Sequence, residues 1–243
     1  MELTKVKDYF LDLLYPSGYK CIFCGDEIFN DNQYLTCCNC LKELHRIEKP
    51  CEKCGNALHE NDLAKVCNSC KGKNLYFEQA IAPFEYKGKI STAVQNLKFS
   101  NAKYLAKPLA KFLDAEIPKL KYKPEIIIPV PMHENKKKIR GYNQCELLAK
   151  ELSKFSNIET SFDVLYKIKD TKEQVKLDFN ERQNNLENCF VVKNKAKIKD
   201  KVVLLIDDVY TTGATVRNCA RKLLEGSARK VVVLTIAHTV LKN

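Results

Sequence analysis

The stretch KVVLLIDDVYTTGAT, Lys201 to Thr215, constrains the chain more than any other. Val202 to Ile206 are five consecutive apolar residues with no polar alternation. As a strand they are buried on both faces, the habit of parallel sheets covered by helices. Asp207 and Asp208 follow at the strand's carboxyl end, where open α/β sheets bind ligands. Thr211, Thr212, Gly213, Ala214 and Thr215 come next, and a helical pattern starts near Val216. Backbone N–H groups at a helix N-terminus, with threonine hydroxyls beside them, can surround a phosphate, and Gly213 lets the backbone come close. These residues point to a sugar-phosphate site. Neither G-x-G-x-x-G nor G-x-x-x-x-G-K-[ST] occurs, which sets aside two other nucleotide-binding motifs.

An internal repeat with a period of 30 residues occupies the first third of the chain. CIFCGDEIFNDNQYLTCCNC (Cys21 to Cys40) and CEKCGNALHENDLAKVCNSC (Cys51 to Cys70) share C-x2-C-G-x11-C-x2-C. Each C-x2-C pair bends into a knuckle, the glycine after it permits the turn, and two knuckles complete a tetrahedral thiolate site. The predicted Zn²⁺ ligands are Cys21, Cys24, Cys37 and Cys40 in one unit and Cys51, Cys54, Cys67 and Cys70 in the other. Spacing alone leaves crossed pairing between the units open. Cys38 is assigned as a spare, and His45 and His59 as surface residues. Four protein ligands leave no open position, so both zinc ions are structural.

Nine of the twelve cysteines lie between Cys21 and Cys70. So many thiols under reducing conditions argue for metal rather than disulfides. No stretch approaches the length of a membrane span, and Glu2, Asp8 and Asp12 do not suit a secretory signal. The predicted location is the cytoplasm. The formal charge is +11, and two four-thiolate zinc sites would leave about +7. That balance favours an anionic partner, phosphate or nucleic acid.

Three parts are predicted: an amphipathic helix within residues 1–18, a double zinc ribbon over 19–72, and an α/β domain over 73–243. Ala80 to Tyr86 reads as a strand, and Ile90 to Lys98 and Tyr104 to Ile117 as helices. Lys98 reads as a surface lysine, with a ligand-facing role as the alternative. Glu125 to Val130 is the strand expected beside Val202 to Ile206. A basic loop follows, in which Lys136, Lys137, Lys138 and Arg140 could neutralise a pyrophosphate, or else decorate a solvated turn. Asn143 caps the next helix with Glu146 in a capping box, leaving Tyr142 and Gln144 freer to meet a ligand. Cys145, Cys189 and Cys219 read as buried thiols. Lys167 to Asn188 is a long polar segment that could close over the ligand, with Gln174 and Arg182 as its candidates. The lysines between Lys193 and Lys201 read as a hairpin. A helix over Val216 to Leu224, capped at Gly226, and a strand over Lys230 to Ala237 end the chain.

The run from Val202 to Thr215 resembles the fingerprint of type I phosphoribosyltransferases. There the paired acids bind the ribose hydroxyls of phosphoribosyl pyrophosphate (PRPP), and the TTGAT-like loop binds its 5′-phosphate. The order of features resembles the ComF family of late competence proteins: the cysteine repeat, YKGKISTAVQNLKF, PVPMHENKKKIRGYNQCELLAKEL, EQ with ERQNN, then VVLLIDDVYTTGAT. The resemblance implies a type I phosphoribosyltransferase-like parallel sheet flanked by helices behind a small double zinc ribbon. It implies PRPP or a related ribose phosphate with Mg²⁺ as ligand, and DNA uptake in natural transformation. It also implies handling of single-stranded DNA and a competence helicase or DNA-processing protein as partner. In that reading Asp207 and Asp208 hold the ribose, and Thr211 to Thr215 hold its phosphate. Lys136 to Arg140, Tyr142 and Gln144 meet pyrophosphate or DNA. No residue stands out as the base for an incoming nucleophile, which leaves catalysis open and nucleotide salvage as the alternative.

Overall fold

The computed structural model describes residues 20–28, 34–59, 61–170 and 189–240. The expected N-terminal helix, Gln174 and Arg182 lie outside them. In chain order the elements are α1 (Cys38–Lys42), β1 (Gln79–Ile81), β2 (Phe84–Glu85), α2 (Gly88–Phe99) and α3 (Ala106–Asp114). They continue with β3 (Ile126–Pro129), α4 (Glu134–Arg140), α5 (Gln144–Ser156), β4 (Leu165–Lys167) and β5 (Phe190–Val192). β6 (Val202–Tyr210), α6 (Ala214–Glu225) and β7 (Lys230–His238) end the series.

β6 and β7 form the middle of a parallel sheet, in register from Val202 opposite Lys230 to Tyr210 opposite His238. β3 pairs with the other side of β6, Ile126 opposite Val203. β1 and β2 run along the far side of β7, as two pieces of one interrupted strand. The apolar run is central because both its faces are covered. Val202, Leu204 and Ile206 pack with Val94, Leu97, Leu109 and Leu148 from α2, α3 and α5. Val203 and Leu205 turn to the opposite layer, with Val216 and Leu223 of α6 and the second cysteine cluster. Each such fully buried aliphatic side chain contributes about 2 kcal/mol.

Three local readings change. β6 runs on to Tyr210, so the two aspartates lie inside the strand rather than at its end. β3 stops opposite Ile206, which leaves the β3 side of Asp207 and Asp208 open. Lys136 to Arg140 form a short helix, not a loop, ended by Gly141 at φ +81°. The lysines after Val192 lie on a 3-10 turn over Lys195–Lys197, whereas the hairpin pairs β4 with β5.

Candidate functional site

The repeat survives at the level of single hydrogen bonds. Gly25 N–H donates to Cys21 O and Gly55 N–H to Cys51 O, both at 2.9 Å, and Ile22 to Leu35 O is repeated as Glu52 to Lys65 O. Gly25 and Gly55 take φ +80° and +75°, a conformation that glycine adopts without strain. In each unit the four sulfurs lie within 4.8 Å of one another, and pairing is local rather than crossed. Cys24 to Cys37 and Cys54 to Cys67 are 3.7 Å apart. The edge of a tetrahedron with zinc–sulfur bonds of about 2.3 Å is about 3.8 Å. The donor sets therefore fit two structural zinc ions, one per ribbon. Cys38 belongs to neither set and is exposed.

The acidic corner forms where β6 outruns β3. Asp208 is 4% exposed. Lys98 Nζ lies 2.8 Å from its Oδ1, and Gln144 Nε2 donates to its Oδ2. Asp207 accepts from the Asp208 N–H at 2.9 Å and from the Cys145 thiol at 3.4 Å. Burial, then the Asp208 charge, pushes the Asp207 carboxyl up to about 7. Burial alone would lower Lys98, but the Asp208 carboxylate raises it. Burial pushes the Cys145 thiol well up, in keeping with an inert buried thiol. Asp207, Asp208 and Cys145 bring their ligand atoms within 4.8 Å of one another.

Thr211, Thr212 and Gly213 make the turn into α6, which starts at Ala214, two residues before the expected Val216. Gly213 is at φ +73°, and a Cβ there would fall 2.1 Å from the Tyr210 hydroxyl. A side chain there is strained and would push the Tyr210 ring or the turn aside. Thr212 Oγ1 accepts from Ala214 N–H at 3.4 Å, and Thr211 is exposed beside it. The N-terminus of α6 thus sits next to the acidic corner.

Arg140 reaches the same corner indirectly, donating to Gln144 Oε1 at 2.5 Å. Lys137 pairs with Glu146 at 2.9 Å. That pairing replaces the expected capping box, and Asn143 alone caps α5 through Cys145 N–H. Lys136 is half-buried and Lys138 exposed on the same helix. Tyr142, expected to be free for a ligand, is not: it is 7% exposed. Its hydroxyl donates to Leu97 O at 2.5 Å, and the Lys103 ammonium lies over its ring. The exposed aromatics nearby are Phe99 and Tyr104, at 69% and 70%, with the Arg140 guanidinium 5.0 Å from the Phe99 ring centre.

Lys98, a surface residue on the sequence reading, is instead the counter-charge of Asp208. Its signal is visible in the pattern: Val94, Leu97 and Lys98 stand at the i, i+3, i+4 positions of one helix stripe, so a lysine occupies a core-facing place. His238 carries no such signal. It is 1% exposed at the end of β7, stacked on Tyr210 at 4.6 Å, and burial holds it down at about 4.

A family profile described as a double zinc ribbon domain matches residues 10–71. Competence protein F of Haemophilus influenzae is 28% identical over 227 residues, covering 91% of this chain and 97% of that protein. Competence protein ComFC of Streptococcus pneumoniae is 29% identical over 88% of this chain and 96% of its own length. DNA utilization protein YhgH of Escherichia coli K12 is 26% identical over 84% and 90%. Similar solved structures include the glutamine PRPP amidotransferase of Bacillus subtilis, at 12% identity, TM-score 0.41, and 59% and 30% coverage. The adenine phosphoribosyltransferase of Trypanosoma brucei is another, at 17%, TM-score 0.38, and 58% and 55%. Among the described residues no helix is long and apolar enough to cross a membrane. A double zinc ribbon ahead of a parallel sheet, with 28–29% identity to competence proteins along about nine-tenths of the chain, makes this protein similar to the ComF family of competence proteins.

Proposed function

We propose that the protein binds a ribose 5-phosphate bearing pyrophosphate, PRPP with Mg²⁺, and that it serves DNA uptake. The observation that carries the first part is the juxtaposition of the Thr211 to Thr215 turn, at the N-terminus of α6, with the half-buried carboxylate of Asp207 on the strand that leads into it. The phosphate would accept from turn N–H groups and threonine hydroxyls. Asp207 would accept from a ribose hydroxyl. Asp208, already neutralised by Lys98, would keep Gln144 and the α5 terminus in place. Lys136, Lys138 and Arg140 would face the pyrophosphate. Mg²⁺ takes oxygen donors and retains waters, so Asp207 with the ligand's own phosphates suits it, whereas the protonated Cys145 does not. Bound there, the ion would neutralise pyrophosphate charge. The role in DNA uptake rests on the similarity to the competence proteins.

Isothermal titration with PRPP and Mg²⁺ tests the ligand. Saturable binding lost in the Asp207→Ala, Asp208→Ala double variant supports the reading. Equal affinity in that variant, checked as folded, would end it. Catalysis is a separate question, and pyrophosphate release on screening free bases with PRPP decides it.

A second, DNA-binding role is favoured by Phe99 and Tyr104, which are exposed, with Arg140 over the Phe99 ring and Lys103 next to Tyr104 in sequence. Aromatic faces set among cations bind single strands by stacking and phosphate contact. Those two rings take the place expected for Tyr142.

A further inference from the structure

The two ribbons are chemical repeats with different surroundings. Cys24 of the first is exposed and its Cys37 half-buried, while all four cysteines of the second are buried. The second ribbon is fixed to the sheet: Ala80 N–H donates to Lys53 O at 2.8 Å. Gly55 passes so close that a Cβ would fall 2.8 Å from Ala80 O. This docking leaves a cavity of about 70 Å³ between ribbon and fingerprint turn. Ser69 and Lys73 line its ribbon side, and Thr211, Thr212, Arg217 and His238 its sheet side.

His238 gives the cavity its second clue. Its Nδ1 lies 2.8 Å from Thr239 O, a carbonyl that can only accept. Nδ1 therefore carries the hydrogen and Nε2 is an acceptor. That Nε2 is buried and has no hydrogen-bond partner among the described residues. A buried acceptor without a donor marks a place where a ligand, or water brought with it, completes the bonding. Beside the zinc-ligand cysteines Cys54, Cys67 and Cys70, with Asn56 and Leu75, the rest of the lining is cationic or hydroxyl-bearing, at the N-terminus of a 12-residue helix. That is phosphate chemistry.

We propose that the second zinc ribbon is the closed wall of the ligand site, and that this cavity seats a phosphate group with a water donating to His238 Nε2. Arg217, Thr211 and Thr212 hold the phosphate from the sheet side and Lys73 from the ribbon. The inference rests on the sugar-phosphate reading of the fingerprint turn and adds the ribbon to it. It also gives the two zinc ions different roles, since only the second lies behind the ligand.

Two measurements on the full-length, zinc-loaded protein test it, with ribose 5-phosphate as probe. In calorimetric titration, Lys73→Ala should weaken binding about tenfold, the size of one lost charge-assisted contact, while Lys65→Ala on the same ribbon binds as wild type. In chelator-driven zinc release, the probe should slow loss of one zinc equivalent and leave the other unchanged. Wild-type binding with undiminished affinity in Lys73→Ala and no protected zinc overturns the ribbon's part and leaves the sugar-phosphate reading standing. No binding to wild type overturns both.

Discussion

Lys98 Nζ and Asp208 Oδ1 meet at 2.8 Å, with their side chains 21% and 6% exposed. Gln144 alone would remain on the carboxylate without the lysine. Breaking one side of a buried pair costs about 3 kcal/mol because the other charge stays in a poor solvent. Lys98→Met should therefore lower stability by about that amount in urea unfolding, and adding Asp208→Asn should restore most of it. A Lys98→Met protein with a wild-type midpoint would show that the pair is dispensable.

Asp207 is the titrating member of the corner. Its folded carboxyl sits up at about 7, above its ordinary 3.8. The folded state thus holds a proton through that window, and stability associated with Asp207 declines as pH rises through it. A ligand that needs the ionised carboxylate has the opposite dependence. PRPP and Mg²⁺ affinity should climb as pH is raised toward about 7 and level off above it, and Asp207→Asn should flatten the climb. Calorimetry at pH 5.5, 6.5 and 8 checks this, and a flat wild-type profile would contradict it.

Gly213 has no room for a side chain: at φ +73°, a Cβ would stand 2.1 Å from the Tyr210 hydroxyl. Gly213→Ala must move the turn or the ring, at a cost of about 2 kcal/mol. It should weaken phosphate binding more than Ala214→Ser does. Similar affinities for the two variants would argue against the turn as the phosphate cradle.

Zinc content separates ligand from spare cysteines. Wild type and Cys38→Ser should each carry two equivalents by atomic emission, and Cys24→Ser one, with ribose 5-phosphate binding retained. Loss of zinc from Cys38→Ser would contradict the assignment of four thiolates per site.

The chain contains no tryptophan, so Phe99→Trp places a single reporter on the exposed ring. Its fluorescence should be quenched by oligo-dT, with affinity falling steeply as salt rises and less steeply after Arg140→Ala. An unresponsive tryptophan would remove the stacking surface from the account.

Much of this architecture is legible in the sequence because its signals are local. The cysteine repeat fixes the ribbons, and an unalternating run such as Val202 to Ile206 can be satisfied only between two covered faces. What stays hidden depends on which distant residue arrives at a given spot. The stripe of Val94, Leu97 and Lys98 points the lysine at the core, but nothing in it names Asp208, 110 residues on, as the partner. Tyr142 follows Gly141 in what reads as a loop, yet its hydroxyl finds Leu97 O, 45 residues away. His238 and the cavity at its side exist only because the second ribbon folds back onto β1 and the turn after β6, a long-range contact that spacing does not encode.

The most direct test of a sugar-phosphate site observes the phosphates themselves. In ³¹P NMR of PRPP with Mg²⁺, adding the protein should shift or broaden both the 5-phosphate and the pyrophosphate resonances, and Asp207→Asn should weaken the effect at pH 8. Spectra in which the 5-phosphate line is unmoved at saturating protein would contradict the assignment of Thr211 to Thr215 as its binding turn.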